Sequence, residues 1–133
     1  MSYVANGKEI AAVFKLSGPD RYSHFVRRVA DWGEIWSLGD GDGWKLLADD
    51  AGRELVPVWP AAAFVQALCI GEWAGCRPRA IAMDDWLEKW TPGMVRDGRK
   101  VAVPPTPEGR AVTVEPERLA ADIRDAQADF LDA

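Results

Sequence analysis

Apolar residues in the first quarter of the chain recur at helical spacing. Ile10, Val13 and Phe14 share one face after Asn6-Gly7-Lys8-Glu9. There Asn6 is placed to accept from the open amides of a first turn, and Glu9 to reach back. Tyr22, Phe25, Val26 and Val29 stand at i, i+3, i+4 and i+7, a single stripe on a second helix. Gly18-Pro19 opens that helix and Gly33 closes it. Arg21, Arg27, Arg28 and Asp31 fall on its other side. The period then changes. Residues 34–38, 44–48 and 55–59 are short runs rich in aromatic and aliphatic side chains, divided by Gly39-Asp40-Gly41-Asp42-Gly43 and by Asp49-Asp50-Ala51-Gly52. Such punctuation predicts an antiparallel meander. Pro57 has no N–H to give a ladder, which predicts an edge or a bulge at that point.

Pro60 opens a third helix through Phe64, Val65 and Leu68 that ends near Gly71. A loop holding Trp73 and Cys76 leads to a strand at 79–83. Asp84 or Asp85 then caps a short helix carrying Trp86, Leu87 and Trp90, which Thr91-Pro92-Gly93 stops. Two further strands, at 100–103 and 111–114, flank a proline-rich connection. Pro116 opens a last helix whose Leu119, Ile123, Ala126 and Phe130 keep an apolar stripe. With no repeat, low-complexity tract or linker in view, residues 1–133 read as a single α+β domain. The expected architecture is a mostly antiparallel sheet of about five to six short strands with about five helices.

Composition narrows the function classes. Of the 133 residues 48% are hydrophobic and 28% charged, enough apolar surface to offset the entropy of ordering one domain. The longest apolar run, at 56–65, is broken by Pro57 and Pro60, and a membrane-spanning helix needs about 20 residues. A formal net charge of −5 makes nucleic acid and anionic membrane surfaces poor partners. Six acids (Glu115, Glu117, Asp122, Asp125, Asp129, Asp132) follow one another near the C-terminus against only Arg118 and Arg124. They read as the solvated face of a helix, or as a docking surface for a basic partner. Cys69 and Cys76 stand too far apart for a redox pair, and with His24 they are too few for zinc. Two free buried thiols in a reducing compartment are expected, with a disulfide between them as the alternative, and the absence of a leader pattern in the first six residues predicts a cytoplasmic protein.

Few residues carry candidate chemistry. Asp40 and Asp42 alternate at a glycine-rich turn as calcium ligands do, but Trp44 takes the place of the third ligand, so a hairpin connection fits better. His24 is the sole histidine and lies beside an apolar stripe. Cys76 has Arg77 and Arg79 nearby, which favour a thiolate. Asp84, Asp85 and Glu88 form a carboxylate cluster whose spacing also suits helix capping. The seven tryptophans are the chain's most unusual feature. Trp36, Trp44 and Trp59 in strands, and Trp86 and Trp90 on one helix face, are expected in the core. Trp32 and Trp73 stand at element ends among charged residues, where exposure marks a binding patch.

Several segments also carry a likeness. Arg21-Tyr22, Phe25, Arg28-Val29-Ala30-Asp31 and Glu34-Ile35-Trp36 resemble an uncharacterised bacterial family, domain of unknown function number 2750. So do Asp42-Gly43-Trp44, Pro57-Val58-Trp59-Pro60, Gly71-Glu72-Trp73, the Asp84 to Trp90 segment and Pro105-Thr106-Pro107-Glu108-Gly109. The likeness runs from Ser17 to Phe130. It implies a small, stand-alone cytoplasmic bacterial protein and carries over no catalytic residues. In its layout the chain is also similar to the enhanced-serine-sensitivity protein domains, which again implies α+β.

The residues together point to a non-catalytic module that binds another protein, in a regulatory or immunity-type role, without cofactor or metal. Trp32, Trp73, Arg77 and Arg79 are the expected binding residues. The competing reading is a small enzyme or small-molecule-binding protein with a tryptophan-lined pocket, built from Asp84, Asp85, His24 and Cys76. It requires those four to meet in space.

Overall fold

A computed structural model describes residues 3–132. Met1, Ser2, Ala133 and the side chain of Asp132 lie outside the described residues. The first two helices form where the pattern places them. On α1 (Gly7–Phe14) the Asn6 Oδ1 accepts from the Glu9 N–H at 2.9 Å. Glu9 does not complete a capping box, because its carboxylate takes the Tyr3 hydroxyl at 2.6 Å. Helix α2 (Gly18–Trp32) starts on the Ser17 hydroxyl and ends at Gly33, whose φ of +76° suits glycine. Phe25, Val26 and Val29 are buried as expected. Arg21 is not on the polar side. It stands four residues before Phe25 on the same stripe, is only 4% exposed, and donates from Nη1 to the Leu16 carbonyl at 2.6 Å.

The meander breaks after one hairpin. Strands β1 (Glu34–Asp40) and β2 (Gly43–Trp44) pair antiparallel, but the run at 44–48 divides between sheets. Lys45 stays with β1 through its N–H to the Leu38 carbonyl at 3.0 Å and its ion pair to Asp40 at 2.8 Å. Leu46 then packs into the core, and β3 (Leu47–Ala48) pairs antiparallel with β4 (Glu54–Pro57) elsewhere. The expected single sheet is therefore two, ordered β2-β1-β5 and β3-β4-β6-β7, with β5 (Arg77–Ala82), β6 (Lys100–Val103) and β7 (Val112–Val114). The β4–β6 pairing is parallel and the others antiparallel.

Pro57 is not on an edge strand, since β4 lies between β3 and β6. Its missing donor is tolerated because β3 ends opposite Leu55, so no β3 backbone faces Pro57. Instead the Ser37 hydroxyl donates to the Pro57 carbonyl at 2.6 Å. Two residues on, Trp36 and Trp59 exchange backbone hydrogen bonds of 3.0 and 2.8 Å. The chain thus passes from one sheet to the other without leaving extended backbone.

Strand β1 divides two cores by the alternation of its side chains. Ile35 joins Phe25, Val29, Val58, Trp86, Leu119 and Ile123 beneath α2 and α6 (Pro116–Asp132). Trp36 and Leu38 join Val13, Trp59, Phe64 and Val65 beneath α1 and α3 (Ala62–Gln66). Helix α3 is shorter than its pattern predicts, and a 3₁₀ turn at Gly71–Trp73 replaces its expected end.

The Thr91-Pro92-Gly93 stop is absent. Helix α4 (Met83–Asp85), a π-helical turn (Trp86–Trp90) and α5 (Thr91–Asp97) follow without a break. Thr91 brings both its backbone N–H and its hydroxyl, the latter at 2.8 Å, to the Trp86 carbonyl. Pro92, which has no N–H, falls where this widened turn has already displaced the usual i→i−4 pairing. Neither Asp84 nor Asp85 caps the helix. Ala82 holds the cap position, and Asp85 pairs with Lys89 at 3.3 Å.

Replacing the buried Ser37 by alanine leaves the Pro57 carbonyl without its donor at the joint between the sheets. Ser37→Ala is expected to cost about 1–3 kcal/mol, read as a lower urea midpoint with an unchanged m-value.

Candidate functional site

The connection from α3 to β5 builds one wall of a surface groove. Leu68, Ile70 and Trp73 face Leu47 of β3 and Pro105 and Pro107 of the β6–β7 connection across a volume of about 430 Å³. Trp73 is half-buried because its ring meets Trp59 edge-on, with centroids 6.5 Å apart and planes at 86°. Trp59 is fully buried and fixed in turn, since its Nε1–H donates to the Pro105 carbonyl at 2.9 Å. The facing loop is pinned by the Thr106 N–H to the Arg110 carbonyl at 2.8 Å. Ile70 projects from this wall 70% exposed, an apolar side chain with little of the chain over it. Glu72 lines the groove as its charged member.

Arg79 lies on the other side of this region, flat against the sheet. Its guanidinium carbon sits 3.9 Å from the centroid of the Trp44 ring. To get there the side chain crosses β1 at Gly39. A Cβ at that position would come within 2.9 Å of Arg79 Cδ and 2.5 Å of the Gly43 carbonyl oxygen. Trp44 meets Trp90 edge-on at 4.8 Å, and Trp90 stacks on the buried Trp86 at 5.7 Å. A surface cation is thus tied through three tryptophans to the core. Arg77, two residues earlier on the same strand face, is exposed opposite Gly39.

Trp32 stands apart. It is 36% exposed at the end of α2, 6.0 Å from Tyr3, beside the end of β1 where Glu34 faces Ala82. Arg77 faces Gly39 at the far end, five rungs along, a separation of about 17 Å at 3.4 Å per residue. Of the four expected binding residues, Trp73, Arg77 and Arg79 belong to one end of the sheet and Trp32 to the other.

The residues of the enzymatic reading do not meet either. Asp84 and Asp85 are exposed next to the Ala82 end of β5, while the buried Cys76 adjoins its Arg77 end. His24 faces Tyr3 and Phe64 at 6.5 and 6.4 Å from the middle of α2. Asp40 serves its own hairpin, accepting from the Asp42 N–H at 2.8 Å; Lys45, then that amide, hold its carboxyl below the usual carboxylate range. Among the described residues no group of three His, Cys, Asp or Glu side chains is placed to hold a metal ion. Cys69 and Cys76 are free, and burial pushes the Cys69 thiol up. Of the C-terminal acids, Glu115 pairs with Lys100 at 3.1 Å and Asp122 accepts from the Tyr22 hydroxyl and from Arg118, leaving Glu117, Asp125 and Asp129 exposed.

The family model described as protein of unknown function (DUF2750) matches residues 22–123, and the chain belongs to that family. The matched span includes the Trp73 groove and the whole Arg79–Trp44–Trp90–Trp86 series. No curated protein matches the chain. No solved structure matches it. Among the described residues, no helix is long and apolar enough to cross a membrane.

His24 supplies a pH prediction. Burial, then the charge of Arg28, lower its pKa below the ordinary 6.5, with Glu9 opposing and Arg27 adding to the shift. Its Nδ1 is buried and finds no protein partner. The unfolded chain therefore binds a proton near pH 6.5 that the folded chain resists, and stability is expected to fall as pH drops below that value. Urea midpoints measured from pH 7.5 down to about pH 5 should fall less steeply in His24→Gln than in the parent.

Proposed function

We propose that this member of the family acts by binding another protein, without catalysis, and that the groove beside Trp73 is its primary contact. The observation that carries this reading is Ile70, 70% exposed on the wall of a groove that Trp73, Leu68 and two prolines make apolar. Exposed apolar surface next to a rigidly backed aromatic is the composition of an interface centre rather than of an ordinary solvent face. Trp73 is backed from the core side, because its ring packs at a right angle to Trp59 and Trp59 is bonded to Pro105. A partner therefore meets a pre-organised ring and pays little ordering entropy at that contact.

The groove is lined by side chains from β3, from the α3–β5 connection and from the β6–β7 connection, and it is open to solvent rather than enclosed. An extended segment with aliphatic side chains suits that shape. Glu72 on the lining and the acidic exterior of the chain favour a basic residue beside the aliphatic ones. A regulatory or immunity-type role, in which the module covers a functional surface of its partner, is consistent with such a contact.

Selection from a displayed library of short peptides tests this reading. Enriched sequences are expected to share aliphatic residues next to a basic one. Trp73→Ala and Ile70→Asp are each expected to weaken the selected peptide by about tenfold or more. Failure to enrich any peptide, or binding that survives both substitutions in variants with parental urea midpoints, would overturn it.

A further inference from the structure

We infer that β7 pairs with β7 of a second copy of this chain, antiparallel and centred on Thr113, joining two four-stranded sheets into one of eight strands. The pairing uses the outer edge of the β3-β4-β6-β7 sheet, which adjoins the Trp73 groove only at Ala111, and does not depend on that groove being occupied.

The first observation is the direction of the backbone groups. The Val58 N–H donates to the Ala102 carbonyl at 3.1 Å, so Ala102 turns its backbone toward β4. Val101 and Val103 on either side of it then turn theirs toward β7, where they face Val114 and Val112. Thr113 stands opposite Ala102 between these bonded pairs, and its own N–H and carbonyl point outward, where an added strand can take them up. The other edges are blunted. Strands β2 and β3 have two residues each, and β5 carries Pro78 between Arg77 and Arg79. Between Val112 and Val114 there is neither proline nor charge.

The second observation is the space beside that edge. Val112 and Val114 lie on the same face of the sheet as Val103 and Val101, the face covered by α2 and α6. They are half-buried, and with Pro19 and Tyr22 of α2 and Arg118 and Asp122 of α6 they border a trough of about 440 Å³. Tyr22 is held in its wall by the bond from its hydroxyl to Asp122. Thr113 points to the opposite face of the sheet and is exposed. A strand added along β7 therefore sends alternate side chains into the trough and needs them apolar, with a polar side chain between to match Thr113.

The sequence of β7 itself meets that requirement. Turned antiparallel about Thr113, a second copy sets its Val114 beside Val112, its Val112 beside Val114 and threonine beside threonine, a favourable cross-strand pair. Charge fixes the direction. Arg110 precedes the strand, and Glu115 and Glu117 follow it, so the antiparallel arrangement brings the arginine end of each copy beside the glutamate end of the other. A parallel arrangement would set arginine beside arginine and glutamate beside glutamate. Among the described residues the exposed Arg110 and Glu117 make no ion pair of their own, whereas the neighbouring Glu115 and Arg118 do.

Sedimentation of the full chain over a range of concentrations tests the pairing. The parent should pass from one copy to two as its concentration rises. Position 113 faces itself in this register, so Thr113→Lys sets lysine against lysine and Thr113→Glu sets glutamate against glutamate. Each variant alone should weaken the dimer by about fivefold or more. An equal mixture of the two should recover it through a lysine–glutamate pair, a result that no unfolded variant can produce. A parent that stays a single copy at every concentration, which would leave the edge to a foreign strand, overturns the inference. So do single variants that dimerise like the parent, or a mixture that associates no better than either variant alone.

Discussion

A carbonyl that no strand pairs decides how this molecule is held together. The Pro57 oxygen is bonded by the Ser37 hydroxyl, and two residues later Trp59 and Trp36 close a backbone bridge. One extended stretch is in this way shared by both sheets. A buried carbonyl left open costs about 1–3 kcal/mol, so Ser37 is a condition of the crossing and not an ornament on it. Everything functional hangs from the same joint. Trp59 leaves it bonded to Pro105, which places the wall of the groove, and presents its ring to Trp73. Ser37 faces Arg79 across the β1–β5 ladder, two rungs from the Gly39 saddle.

Much of this is written locally in the sequence and some is not. The caps and stripes are legible because they depend on neighbours in the chain: Asn6 on the Glu9 amide, Gly33 on its own positive φ, Phe25 and Val29 on helical period. The division of the run at 44–48 is illegible for a different reason. Trp44 pairs back to Gly39 and Leu47 forward to Leu55, each across a short turn, and a period of two does not say where between them the run parts. Thr91-Pro92-Gly93 reads as a stop because proline lacks a donor. The widened turn that accommodates it is made by the Thr91 hydroxyl and amide together, an arrangement that proline-based punctuation does not encode.

The candidate surfaces show the same boundary. Trp73, at an element end between charged residues, can be singled out from its position, and so can Arg77 and Arg79 on their strand. What the sequence conceals is grouping. Only the register of β1 against β5 separates Trp32 from Arg77, and only the backbone geometry at Gly39 shows that this glycine admits an arginine rather than merely shaping a turn. Ile70 carried a modest local signal, a large apolar residue just before the positive-φ Gly71.

The widened turn at Trp86–Trp90 has a bearing on how this helix tolerates insertion and deletion. Each residue added to or removed from an α-helix rotates all that follows by about 100°. Met94, 3% exposed, occupies a core position, and the next residue, Val95, is 46% exposed and equally apolar. A widened turn holds one residue more than an α turn, so loss of one residue within it, with the turn tightening to α, leaves Met94 in the core position it now holds and Val95 outside. The helix therefore carries its spare residue in the backbone of that turn, so a deletion there is absorbed where elsewhere in the helix it would turn a different face inward.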